Sequence, residues 1–286
     1  MNKIKELAHK LLGEQYTPLA MKRRNLLTYW HSVLHPYHYD PTRYPNSYLT
    51  AKAEFPYTKD IQKPVDRVIY IFWTGDNEIT PNRMGGIRSM EEKCGVPVKL
   101  ITPRNLPEYI VEKDPIPEGY QYLSLNHRSD YLRSYFMYHH GGGYADIKTY
   151  FHSWVKAFDK LDASKDAYVI GYPEVGFEGA ANQGIPKDNL YYDLHNHWRY
   201  LIGNGAFICR PHTKMAAEWH TIIRNKLIAY TDQLREHPAK DIFGKNEDYP
   251  IPWAGMQGNI FHPFCLKYHD RLLKDKKLKP SFINYR

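Results

Sequence analysis

Cysteine is scarce and badly placed for pairing. Cys94, Cys209 and Cys265 are odd in number and far apart, with no C-x-x-C pair, which argues against a disulfide framework or a thiolate metal centre and predicts buried thiols in a reducing compartment. No apolar run approaches the roughly 20 residues of a membrane span. The opening Met1-Asn2-Lys3-Ile4-Lys5-Glu6 lacks a signal-peptide core, and no Asn-x-Ser/Thr sequon occurs. P-loop, GxGxxG and HExxH spacings are missing as well, which removes the sequence support for ATPase, dinucleotide and zinc-protease chemistry. A soluble, cytoplasmic chain is the expectation.

Positive charge, by contrast, is in surplus. Across 286 residues, 39 Lys and Arg face 31 Asp and Glu, for a formal charge of +8 and a pI of about 9.1. Anionic partners are favoured: a nucleotide-sugar, an acidic glycan or a membrane surface. The basic residues are scattered, and neither zinc-finger spacing nor an RNA-binding aromatic signature appears, so nucleic acid is not expected as a partner. Aromatics reach 15%, with 25 tyrosines, which suggests a surface that handles sugars or bases.

Along the chain, residues 1–66 read as an appendage. Ile4, Leu7, Ala8, Leu11 and Leu12 recur at helical spacing. A second, basic helix carrying Lys22, Arg23 and Arg24 is expected over 21–34, either packed on the main domain or meeting a membrane surface or acceptor. The five prolines between His35 and Pro64 suit an extended arm. The domain proper, 67–286, begins with Arg67-Val68-Ile69-Tyr70-Ile71-Phe72-Trp73-Thr74-Gly75, a run expected to form a buried parallel strand. A helix over 81–94 and a strand over 97–102 complete a βαβ unit. Further on, 154–161 reads as helix, 167–172 as strand, 174–189 as a Gly-rich loop, 201–209 as a turn and strand, and 211–236 as one long helix. Ligands in open α/β sheets lie beyond strand C-termini, which makes Trp73-Thr74-Gly75 a candidate site edge.

The passage Ser129-Asp130-Tyr131-Leu132-Arg133 to Gly141-Gly142-Gly143-Tyr144-Ala145-Asp146-Ile147-Lys148 organises the rest. Ser129 is a suitable N-cap, three glycines end the helix, and 144–150 alternates as a strand, with Tyr144, Asp146 and Lys148 on one face. On a helical wheel Asp130, Arg133 and Met137 fall within roughly 60°, opposite a core stripe of Leu132, Tyr135, Phe136 and His139.

Ser-Asp-x-x-Arg, an aromatic-rich helix, Gly-Gly-aromatic and x-Asp-x-polar together resemble the sugar-binding DXD region glycosyltransferase superfamily, most closely the capsular polysaccharide synthesis protein family. The similarity spans roughly Val68 to Phe207. It implies a GT-A-like, Rossmann-like α/β domain with a mixed sheet flanked by helices, using a nucleotide-sugar donor. By that resemblance Trp73 and the adjoining Thr74 would border the donor base, which would be uracil, and Asp130 and Arg133 would hold ribose, sugar or phosphates. Asp146 would meet the donor sugar and pyrophosphate, with Tyr144 and Asn204 completing the donor side.

Lys148 departs from the pattern, because in a full DXD motif a second carboxylate there holds a divalent cation, Mn or Mg. Three readings follow. Lys148 replaces the metal as a point charge on the departing diphosphate; or a metal survives on Asp146 and His262; or the site is degenerate and the chain is a sugar-nucleotide or glycan-binding module. On the acceptor side, Glu174, Glu178, Asp188, Asp193 and Asp248 are candidate bases in loops, and Trp253 and His262 sit in Gly-rich segments read as turn edges. No marked carboxylate pair supports glycoside hydrolysis. The expectation is transfer of a monosaccharide from a UDP-sugar to a glycan hydroxyl, in polysaccharide biosynthesis.

Overall fold

The computed structural model describes residues 16–45, 47–59, 61–181 and 186–283. Its frame is one six-stranded sheet formed by β1 (Ile69–Phe72), β2 (Val98–Ile101), β3 (Gly142–Ala145), β4 (Val169–Pro173), β5 (Ile202–Cys209) and β6 (Leu272–Lys274). The strands stand in the order β2-β1-β3-β5-β4-β6. β1 is parallel to both β2 and β3, β5 runs antiparallel between β3 and β4, and β6 is parallel to β4. Helices α1 (Tyr16–Leu34), α2 (Pro81–Lys93), α3 (Leu125–His139), α4 (Val155–Asp162), α5 (Asn189–Asn196), α6 (Lys214–Ala229), α7 (Thr231–Glu236) and α8 (Gly258–Lys267) surround it. This is the α/β, mixed-sheet class expected from the sequence, and it is consistent with a Rossmann-like, GT-A-like fold.

The period-2 alternation of β1 explains the layering. Tyr70 and Phe72 enter a core layer built with α3, α6 and α8, whereas Ile69 and Ile71 enter the opposite layer with Ile87 and Met90 of α2 and Phe158 and Leu161 of α4. Both faces of β1 are therefore buried, as a near-continuous apolar run demands. From β1 the chain goes to β2 on one side and later to β3 on the other, so a topological switch point falls between β1 and β3.

Several boundaries differ from the sequence reading. Helix α3 starts five residues before the expected cap: Ser124, not Ser129, accepts the His127 amide at 3.2 Å, so Asp130 lies in the second turn. Residues 130–138 are buried on every side of α3, not along one stripe. The expected long helix starts only at Lys214, because His212 has φ 53°, incompatible with a helix, and it is divided into two at Tyr230, with φ −93° and ψ 0°. Gly203-Asn204-Gly205 lies inside β5, not in a turn before it. The segment 258–264 is helical, so His262 sits in mid-helix.

The glycine triplet is explained by close approach. Gly141 and Gly142 have φ 66° and 79°, in the left-handed region that only glycine adopts freely, and they reverse the chain from α3 into β3. A Cβ on Gly141 would lie 2.5 Å from Pro211 Cδ, and one on Gly143 3.0 Å from the Trp154 ring.

Tyrosine abundance serves packing more than an exposed binding surface. Tyr37, Tyr44, Tyr70, Tyr131, Tyr135, Tyr138, Tyr144, Tyr150 and Tyr172 are all buried. The proline-rich arm after α1 lays two of them into the main core and is clamped there. Arg43 binds both oxygens of Asp193 at 2.8 and 3.0 Å, and the Tyr44 hydroxyl donates to Asp193 at 2.6 Å. The expected helix over residues 4–12 lies outside the described residues. The three cysteines are free and buried, and burial pushes the Cys94 and Cys209 thiols up to about 12.

Gly141→Ala should cost about 2 kcal/mol or more, combining left-handed strain with the Pro211 clash. Urea unfolding measures it, and an unchanged midpoint would refute the account of the turn.

Candidate active site

The carboxyl ends of β1 and β3 meet at the switch point, and the predicted donor-side residues gather there. Asp146 follows directly on β3, which ends at Ala145, so Asp146 and Lys148 stand in a turn and not along a strand. The backbone of that turn is held from two sides. The Asp146 amide donates to Gly205 O of β5 at 2.7 Å, and Arg83 of α2 donates to Ile147 O at 2.5 Å. Gly86 of α2 lets the helix pass over it, since a Cβ there would meet Lys148 O at 3.0 Å. Gly205 leaves room for the carboxylate itself, a Cβ at that position falling 3.0 Å from Asp146 Oδ2.

Every oxygen of Asp146 has a cation or donor. Lys148 Nζ reaches Oδ2 at 2.6 Å. Tyr144 donates its hydroxyl to Oδ1 at 2.6 Å, and Arg133 of α3 stands 3.4 Å from the same atom. Arg133 also pairs with Asp130 at 3.2 Å, one turn away on α3, and its guanidinium lies 4.5 Å above the Tyr144 ring. Burial pushes the Asp146 carboxyl up, but Lys148 and Arg133, with the hydrogen bonds from Lys148 and Tyr144, more than reverse this and hold it at about 2. Asp130 is sealed more completely. Burial raises it to about 7, against the pull of Arg133 and with a push from Asp146.

That difference sets the charge of the site. Asp146 stays ionised beside the Arg133 guanidinium and the Lys148 ammonium while burial favours the neutral form of Asp130, so the four groups sum to between zero and +1. Such a centre attracts an anion. Asp146 is the most open member, its side chain 22% exposed against 4% for Asp130.

The neighbouring predicted residues sort clearly. Thr74 donates to Leu125 O at 2.6 Å and ties the end of β1 to the start of α3. Trp73 is half-buried, with its indole N–H on Asn77 O at 2.7 Å. Asn204 offers its carbonyl to Arg133 at 3.4 Å, and its side-chain Oδ1 is buried without a hydrogen-bond partner among the described residues. Tyr144 is buried beneath Arg133, where it positions Asp146 and has no open face for a donor. Glu174 follows the end of β4 on the same sheet edge. Burial raises its carboxyl, and Tyr172, whose hydroxyl accepts the Gly205 amide at 3.4 Å, lies between it and the Asp146 turn.

Other predicted cleft residues are placed elsewhere. Trp253 is an exposed ring packed against Phe243, and only its carbonyl reaches α3, at His127. His262 is fully buried inside α8, its Nδ1 accepting the Ala181 amide at 3.0 Å while burial holds it down at about 4. Asp193 is consumed by Arg43 and Tyr44, Asp188 caps α5, Glu178 pairs with Arg24, and Asp248 is taken by Asn246 and Lys240.

A divalent cation fits Asp146 poorly. Mn or Mg demands several oxygen ligands, whereas this single carboxylate is ringed by an ammonium, a guanidinium and a phenol, and His262 has its Nδ1 engaged.

The structure brings a second charged group together that sequence spacing does not reveal. Asp114 Oδ2 meets His139 Nε2 and His220 Nε2, each at 2.7 Å, and Arg224 donates to Oδ1 at 2.9 Å. These three ligand atoms lie within 4.8 Å of one another and could hold a metal ion. With an imidazole proton on each Nε2, the tautomer that an ionised Asp114 selects, they form a hydrogen-bond knot joining the loop before α3 to α3 and α6. Burial pushes the Asp114 carboxyl up, and the two imidazoles outweigh it and hold the group well below its usual range. Its residues stand on three separate segments, so no local motif announces it.

Comparison with protein-family models, curated proteins and solved structures yields no match. Among the described residues no helix is long and apolar enough to cross a membrane.

Two outcomes test this geometry. Unfolded Asp130 titrates near 4 and the folded group at about 7, so between those values the native state holds a proton that the unfolded state lacks. Its stabilising contribution is complete below about pH 4 and is lost as pH rises through 7, on the order of a few kcal/mol. His127, His197 and His262, held down at about 4 by burial, act in the opposite direction. The readout is therefore the difference: Asp130→Asn should remove one falling component from stability between pH 4 and 7, and parallel curves would contradict the assignment. Asp114→Asn, which strips the charge facing Arg224, should cost about 3 kcal/mol or more by chemical denaturation.

Proposed function

We propose that this chain transfers a monosaccharide from a nucleoside-diphosphate sugar, with uridine as the expected base, to a glycan hydroxyl. In this reading Lys148 and Arg133 do the work that a divalent cation does in a full DXD site. The observation that carries it is the cluster of Asp130, Arg133, Tyr144, Asp146 and Lys148 at the switch point of an α/β sheet, neutral to +1 and open at Asp146.

Charge supports the reading. A departing diphosphate accumulates negative charge on its oxygens, and stabilisation by fixed cations at that place lowers the barrier. Asp146 holds both cations ready, and together with Asp130 it offsets most of their charge until an anion arrives. When the diphosphate enters, Lys148 turns one of its three N–H donors to a phosphate oxygen, and Arg133 keeps its anchorage on Asp130. Trp73, at the end of β1, borders the base. Glu174, raised by burial on the same edge, is the carboxylate assigned to take the acceptor proton.

The experiment is hydrolysis and transfer of UDP-sugars by the purified chain with chelator present. Wild type should turn over donor in chelator, Lys148→Ala should lose on the order of 10²-fold or more, and Glu174→Gln should lose transfer while sparing donor hydrolysis. Activity abolished by chelator sinks the cation-replacement reading. Tight donor binding without turnover by wild type would make the protein a sugar-nucleotide binding module instead.

A further inference from the structure

Helix α1 is amphipathic in the wrong sense for a packed helix. The face turned to the protein is polar: Asn25 Oδ1 accepts the Phe177 amide at 2.7 Å, Thr28 accepts the Trp198 indole N–H at 2.9 Å, and Ser32 meets His197 Nδ1 at 3.2 Å. Leu19, Leu26, Leu27, Trp30, Val33 and Leu34 fall within roughly 120° on the opposite side. They are 36–71% exposed. A contiguous apolar stripe of this kind on a folded chain marks an interaction surface.

Its charge identifies the occupant. Arg23 lies within the stripe and Lys22 at its margin, Arg199 stands over the ring of Tyr29 at the same margin, and α1 contains no acidic residue. Pairing of two copies through this face would bring two basic patches together with no acidic residue of the helix to offset them, because a two-fold contact repeats the same patch on both sides. Residues 1–15 carry Lys3, Lys5 and Lys10 against Glu6 and Glu14, so they too would add positive charge. An anionic lipid surface satisfies both features: leucines and a tryptophan enter the boundary of the acyl chains while the basic side chains meet phosphate headgroups.

We infer that the outer face of α1 docks the protein on anionic membranes, lying in the plane of the interface. The inference is independent of what the sheet-edge site catalyses.

Vesicle sedimentation tests it, using phosphatidylcholine with and without phosphatidylglycerol. The full chain should bind the anionic vesicles, release as salt rises, and bind neutral vesicles weakly. Leu26→Gln with Trp30→Gln should lose at least about tenfold in binding while unfolding at the wild-type midpoint, since both side chains are exposed. Lys22→Gln with Arg23→Gln should lose the salt dependence. With the native thiols buried, Leu26→Cys gives a single maleimide site, which should label rapidly in buffer and slowly on anionic vesicles. No binding to anionic vesicles overturns the inference. So does slow labelling in buffer, which would show the chain's first residues or a second copy covering the face, and so does a concentration-dependent dimer dissolved by the double glutamine variant.

Discussion

Compensation of one carboxylate governs the centre of this molecule. Asp146 is carried into a semi-buried turn at the end of a central strand, and an ionised group there is tolerated only if its charge is balanced and its lone pairs are filled. The surroundings meet that demand from three directions: α3 sends Arg133, β3 sends the Tyr144 hydroxyl, and the turn sends Lys148. The other features of the site follow. Arg133 must stay extended, so Asp130 steadies it from one turn away, and the resulting burial makes Asp130 a weak acid. The backbone must hold the turn, so β5 and α2 both bond to it. Glycines stand wherever a Cβ would push those elements apart.

The same economy shows on the far side of α3. Asp114 is buried there, and two imidazoles and a guanidinium converge on it. One helix is thus tied to two anions, to Asp146 through Arg133 in its middle and to Asp114 through His139 at its C-terminal end, with tyrosines packed around both. This accounts for a helix buried on every face whose sequence nevertheless contains Asp130, Arg133 and Ser134. Buried charged groups are costly unless paired in this way. The arm after α1 extends the principle outward, with Asp193 receiving Arg43 and Tyr44.

What the sequence made legible depended on whether the signal was local. The β1 run and the glycine triplet state their geometry within a few residues, and the α/β class is legible in the former; the Asp130-to-Lys148 spacing groups residues that meet in space but reads as a strand what the structure makes a turn. Helix starts were less legible, because Ser124 and Ser129 are both competent caps and only the docking of His127 on Tyr249 and Trp253 selects the first. Gly-Asn-Gly reads locally as a turn, but in β5 its glycines accommodate Tyr172 and Asp146, partners distant in the chain. His262 and Trp253 were drawn to the site by glycine-rich neighbourhoods that belong to a helix and a surface loop. The Asp114 knot could not be read at all, since its members come from three segments separated by many residues.

Gly203 and Gly205 stand where β5 passes the charged turn. A side chain at Gly203 would meet the Tyr172 ring at 2.0 Å, and one at Gly205 would press on Asp146. The side of β5 that faces the charged turn is therefore packed through main chain. A substitution at either position displaces the Tyr172 ring or the Asp146 carboxylate instead of adding surface, so both strand positions act all-or-none on the integrity of the turn, and gradual change is left to the connecting loops at the rim.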